Sequence, residues 1–150
     1  MPDKPDGMLQ RDRQADQNFD SDEQLYRAFH PDALDGDEIA LDSVELPDIS
    51  TLRSKFAQPQ WARTVKSDWT GWGVWGIFIA KLPVELMSNG VSLCEIKVHH
   101  TPQRQNYPHT DVQAHREGRH LKDASEISEE MSLLIRYRLA SGLKIRVRPE

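Results

Sequence analysis

The chain has 150 residues, enough for one domain with its own core, and its hydrophobic share of 37% lies below the about 45–50% usual for globular domains. A single cysteine excludes an internal disulfide or a multi-cysteine zinc site, and a formal net charge of −5 argues against indiscriminate binding of polyanions by the whole chain. No stretch reaches the roughly 18 apolar residues that a spanning helix needs, and the first residues lack the basic and apolar regions of a secretory signal, so a cytoplasmic setting without a membrane partner is expected.

The charge is unevenly spread, with 14 acidic and 4 basic side chains in residues 1–50 against 10 and 15 in residues 51–150. This pattern predicts an acidic leading segment beside a mildly basic body. Residues 1–24 hold few aliphatic or aromatic side chains beyond Leu9 and Phe19. So little apolar area cannot offset the entropy of ordering, and residues 1–20 are expected to be a disordered acidic tail, with residues 21–150 a single α+β domain.

Next, SDEQLYRAFHP reads as a short helix, capped by Ser21 or Asp22, with Leu25, Tyr26 and Phe29 on one side and Pro31 ending it. Residues 39–41 and 44–46 are short edge strands at most. Residues 49–65 are ambiguous: Leu52 and Phe56 suit a helical turn, which Pro59 ends by residue 58. Trp69, Trp72 and Trp75 are interleaved with Gly71, Gly73 and Gly76 around the start of residues 74–82, a bounded run predicted to be a strand buried on both faces. Glycines there imply a bulge or the close approach of another backbone, and the tryptophans are expected to be core or rim anchors.

Asn89-Gly90 signals a hairpin turn. Residues 91–100 alternate Cys94, Ile96 and Val98 with Glu95, Lys97 and His99, which makes Cys94 a small core side chain. Residues 109–115 alternate Thr110, Val112 and Ala114 with His109, Asp111, Gln113 and His115. The eight-residue connection predicts an antiparallel hairpin with one packed and one polar face. A helix follows over residues 123–141, opened by the capping-box pair Asp123 and Glu126, striped by Ile127, Met131, Leu134, Ile135 and Leu139, and ended by Gly142. Residues 143–148 alternate as a half-buried terminal strand. The fold expected is α+β, a mostly antiparallel sheet of four to five strands with one long helix in the C-terminal half packed on one face.

Five of the six histidines fall between His99 and His120. If His99 faces His109, then Lys97 faces Asp111 and Glu95 faces Gln113, a register that aligns opposite charges. It would gather His99, His109, Asp111 and His115, donors able to hold a transition metal ion or move protons. The connecting loop offers His100, Arg104, Asn106, Tyr107 and His109, stiffened by Pro102 and Pro108 and suited to gripping a phosphate or carboxylate. Arg136, Arg138, Lys144, Arg146 and Arg148 form a basic patch near the C-terminus; it could contact nucleic acid, or simply guard a sheet edge. His99-His100-Thr101 is one H-x-T where two-histidine phosphoesterases need a second, and GxxxxGK, GxSxG and HExxH are all missing. The leading expectation is a small non-enzymatic binding or accessory protein without a cofactor, engaging a protein or anionic ligand through the hairpin loop. The alternative is a metal-assisted hydrolase of phosphoesters or related bonds, using the histidines of residues 99–115.

Overall fold

Side-chain alternation drives most of the chain into strands. A computed structural model describes residues 4–150, and its elements are β1 (Gln24–Phe29), β2 (Leu34–Asp35), β3 (Glu38–Ile39), β4 (Ile49–Arg53), β5 (Gly73–Phe78), β6 (Glu85–Ser88), β7 (Val91–His100), β8 (His109–Arg116), β9 (Arg119–His120), helix α1 (Glu129–Ala140) and β10 (Lys144–Val147), joined by short 3-10 turns. Eight strands make one sheet in the order β10-β5-β1-β4-β8-β7-β6, with β9 beside β8, while β2 and β3 pair separately. Every pairing is antiparallel. The expected class is therefore found, a mostly antiparallel sheet with one helix, but with eight strands in the main sheet where four or five were expected.

The additional central strands come from a segment read as a short helix and from one read as ambiguous. Residues 24–29 form β1, between β4 and β5. Leu25 and Phe29 enter one apolar cluster while Tyr26 and Ala28 enter another. A strand buried on both faces loses the period-two signature, so helical spacing was a false lead. The same holds for residues 49–53, which form β4 against β8, with Ile49 opposite Val112 and Leu52 opposite His109. The edge strands expected at 39–41 and 44–46 shrink to β3 and a 3-10 turn at Leu41–Ser43. Strand β5 ends at Phe78, and the rest of the run expected to 82 turns as a 3-10 segment.

Apolar layers cover both faces of the sheet. On one face Met131, Ile135 and Leu139 of α1 meet Leu25, Trp75, Ile77, Ile96 and Val112. The Ser128 hydroxyl accepts from the Met131 N–H at 3.1 Å and starts the helix. The Asp123/Glu126 capping box does form, but it closes a separate 3-10 turn at Ala124–Glu126, so the helix is shorter than expected. On the other face Tyr26, Leu52, Trp69 and Val74 pack with Met8 and Ala62 of the 3-10 segment Pro59–Thr64.

Met8 belongs to the segment expected to be disordered, yet it is wholly buried. Residues 1–3 of that segment lie outside the described residues. Residues 7–20 lie along the body as a strap. Buried Arg53 donates to the Asp16 and Asn18 carbonyls, the latter at 2.7 Å, and its guanidinium lies 4.0 Å from the Phe19 ring centre. It also grips Glu23 through two hydrogen bonds of 2.6 and 3.1 Å. Composition counts the apolar area a segment carries; it is blind to polar groups elsewhere that need its backbone.

Two stability measurements follow. A Cβ on Gly73 would stand 2.2 Å from the Phe29 ring, whereas one on Gly71 meets nothing closer than 4.0 Å. Gly73→Ala is expected to lower unfolding free energy by about 1–3 kcal/mol in urea titration, with Gly71→Ala near wild type. Arg53→Met strands the buried Glu23 carboxylate and is expected to cost about 3–5 kcal/mol, part of which the double variant with Glu23→Gln should restore.

Candidate functional site

The polar face of the β7–β8 hairpin is organised by its turn. Gln103 and Asn106 exchange two backbone hydrogen bonds of 3.0 Å, and Thr101 N–H donates to the His109 carbonyl at 3.0 Å. This turn geometry sets the register. His99 stands opposite Asp111, Lys97 opposite Gln113 and Glu95 opposite His115. The expected pairing of His99 with His109 is thus displaced by two residues, a slip that leaves each side chain on its predicted face but changes its neighbours.

The histidines divide as a result. His99 and His115 have ring centres 5.9 Å apart, and His115 stacks on His120 at 5.1 Å. His120 Nε2 lies 2.7 Å from Asp48 Oδ1, and His115 Nε2 lies 2.9 Å from Gln113 Oε1. Burial, followed by the charges of His120 and Lys97, pushes the His115 pKa down. His109 is buried and faces a different neighbourhood. Its Nδ1 lies 2.8 Å from the Thr101 hydroxyl and 3.0 Å from the Thr101 carbonyl, and its Nε2 is 3.6 Å from Asp111 Oδ1. Among the described residues, no group of three or more His, Cys, Asp or Glu side chains is placed to hold a metal ion.

The loop residues expected to grip a ligand also separate. Two of them seat the strap. His100 Nδ1 accepts from the Asp16 N–H at 2.9 Å, so its proton is on Nε2, which donates to the Tyr107 carbonyl at 2.7 Å. The Gln17 side chain makes two bonds to the His100 backbone, 2.8 and 3.0 Å. Tyr107 Oη donates to the Gln14 carbonyl at 2.6 Å, and Arg13 lies over its ring. Arg104 is exposed, and its carbonyl accepts from the Gln10 N–H at 3.0 Å.

Asn106 and His109 face the body instead. Asn106 is 3% exposed, and neither its amide nitrogen nor its amide oxygen has a hydrogen-bond partner. It lines a pit of about 30 Å³ whose walls include Arg27, Leu52, Ala62, Trp69 and His109. Arg27, Ser50, Val65, Trp69 and His109 also line a groove of about 510 Å³, which Lys66, Asp68 and Trp72 extend. Trp69 and Trp72 stack at 4.9 Å, and Lys66 Nζ lies 5.3 Å from the Trp69 ring centre. The Arg27 guanidinium is 6.0 Å from the same ring, donates to the Ser50 carbonyl at 2.9 Å and lies 3.4 Å from Glu45. Burial holds its pKa below the usual arginine value. Arg27, Lys66 and Trp69 were not singled out as site residues, because their approach to the loop comes only from the pairing of β1 with its neighbours and the packing of the 3-10 segments.

The basic residues near the C-terminus have separate neighbours. Arg136 donates two bonds to the Val44 carbonyl, Arg148 pairs with Asp37, and Arg146 lies over Phe78, while Arg138 and Lys144 are exposed. Cys94 is buried at 1% exposure, and burial pushes its thiol pKa up. Among the described residues, no helix is long and apolar enough to cross a membrane. Comparison with known proteins finds no family model, no curated protein and no solved structure that matches the chain.

Burial lowers the His100 pKa from its ordinary 6.5. A base depressed in the folded state adds stability above its unfolded pKa, and that contribution is lost as pH falls through the folded value. Hydrogen-exchange protection of residues 14–18 is therefore expected to weaken below about pH 6.5. His100→Gln should flatten that dependence, and His115→Gln should preserve it.

Proposed function

We propose that this chain is a small non-enzymatic binding protein, and that it takes an anionic ligand into the groove between Trp69 and His109. The observation that carries this reading is the Asn106 side chain. An amide with both polar atoms buried and unpartnered is a costly arrangement, and such groups are characteristic of sites that a ligand completes. Two cations, Arg27 and Lys66, lie near the Trp69 ring, which lines the same pit as that amide. A guanidinium and an ammonium next to a low-dielectric aromatic wall favour a phosphate or carboxylate over a neutral solute.

The hairpin loop keeps a role here, but through its inner side. Asn106 and His109 supply the floor, while His100 and Tyr107 hold the strap that backs the loop. The hydrolase alternative lacks comparable support: of the imidazoles it needs, His115 is bonded to Gln113 and His109 is directed at Thr101. The cytoplasmic setting expected from the lone cysteine belongs to the same reading.

The test uses inorganic phosphate at constant ionic strength, read by thermal shift and calorimetry. Wild type is expected to show a saturable rise in Tm, and Lys66→Ala to weaken phosphate binding about tenfold, the loss of one charge-assisted contact. Lys144→Ala, at the sheet edge, should bind as wild type does. An identical phosphate response in wild type and Lys66→Ala, or none in the folded wild type, removes the proposal.

A further inference from the structure

The groove has more chemical detail than an anion requires. An asparagine amide presents one donor and one acceptor side by side in a plane. A carboxylate can accept from Nδ2, but it leaves Oδ1 facing another acceptor. One planar ligand edge satisfies both atoms at once when it carries an adjacent acceptor and donor. Nucleobases have such edges; asparagine meets the N7 acceptor and the N6 amino donor of adenine in this bidentate way.

The dimensions agree with an edge entering and a ring remaining outside. The pit at Asn106, about 30 Å³, is too small for a heteroaromatic ring, but the adjoining groove of about 510 Å³ has room for one. Trp69 belongs to both, so a ring whose edge reaches Asn106 has an indole beside it. Stacking on an aromatic side chain is the usual means of holding a base when its identity is read along one edge. The charges then fall in order. Arg27 and Lys66 lie within 6.0 Å of the Trp69 ring centre, where a charged substituent on a stacked ligand would sit. Glu45 and Asp68 line the same groove; carboxylates accept from sugar hydroxyls, and their charge opposes a polyphosphate chain.

We infer that the groove binds a nucleoside monophosphate, with the base edge on Asn106, the ring along Trp69 and the phosphate at Arg27 and Lys66. This inference rests on the groove being the ligand site proposed above. It adds the planar base, and so predicts behaviour that phosphate alone does not show.

Adenosine monophosphate, adenosine and inorganic phosphate are the probes, titrated at one ionic strength by calorimetry and by indole fluorescence. The chain has 4 tryptophans, so Trp69→Phe isolates the contribution of Trp69. Adenosine monophosphate is expected to bind about tenfold or more tighter than phosphate, with fluorescence quenching that Trp69→Phe removes. Asn106→Leu should remove that advantage, binding adenosine monophosphate about tenfold or more weakly than wild type does. Asn106→Asp, which keeps the shape but replaces the donor, should do the same and guards against a folding defect in the leucine variant. If adenosine monophosphate binds no tighter than phosphate while phosphate still binds, the nucleotide inference fails and the anion groove survives. Equal nucleotide affinity in wild type and both Asn106 variants also overturns it. If neither probe binds the folded protein, both readings fall together.

Discussion

Arg53 is a fully buried guanidinium, and a buried charge must find a partner for every face it presents or cost several kcal/mol. Glu23 takes one side through two hydrogen bonds, the carbonyls of Asp16 and Asn18 take the other, and the Phe19 ring covers the plane. These partners come from the start of β1 and from the strap, while Arg53 itself ends β4. One side chain thus joins the centre of the sheet to the segment that crosses it. The strap's passage over His100 and Tyr107 follows from that anchoring, and it backs the loop that carries Asn106. Without Arg53, the strap would rest on Met8 and on its hydrogen bonds to His100 and Tyr107.

A sheet with two covered faces needs two kinds of cover. Helix α1 supplies one, with three of its side chains directed into the larger apolar cluster. The second face is closed by short 3-10 segments and by Met8, which cover less area than a helix and leave spaces between them. The groove lies in such a space, between Trp69 on one side and the hairpin loop on the other. Farther along the same face, where no segment crosses β7 and β8, the surface stays polar and carries the row from His99 through His115 to His120. Core, groove and polar row on this face differ in what lies above the sheet.

Much of the chain was legible locally. Strand β7 has the residue bounds that alternation indicated, 91–100, β8 runs one residue past the alternating 109–115, and Asn89-Gly90 turns with both residues at positive φ, 52° and 78°. These strands keep one polar face, so their period survives in the sequence. Strands β1 and β4 do not, because most of their side chains are buried, on both faces of the sheet. The site was half legible. Asn106 and His109 stood out within a histidine-rich loop, but Arg27, Lys66 and Trp69 are distant in sequence and carry no shared motif.

From its amino acids alone, this chain determined its class, its C-terminal helix, its β7–β8 hairpin and the face to which each hairpin side chain points, since these follow from periodicity and turn chemistry acting over a few residues. Tertiary structure decided the hairpin register, the strap's position and which loop residues meet the groove. The strap's position depends on two buried polar groups, Arg53 and His100, and such groups take their partners from wherever the fold brings them, at a distance in sequence that no local pattern records.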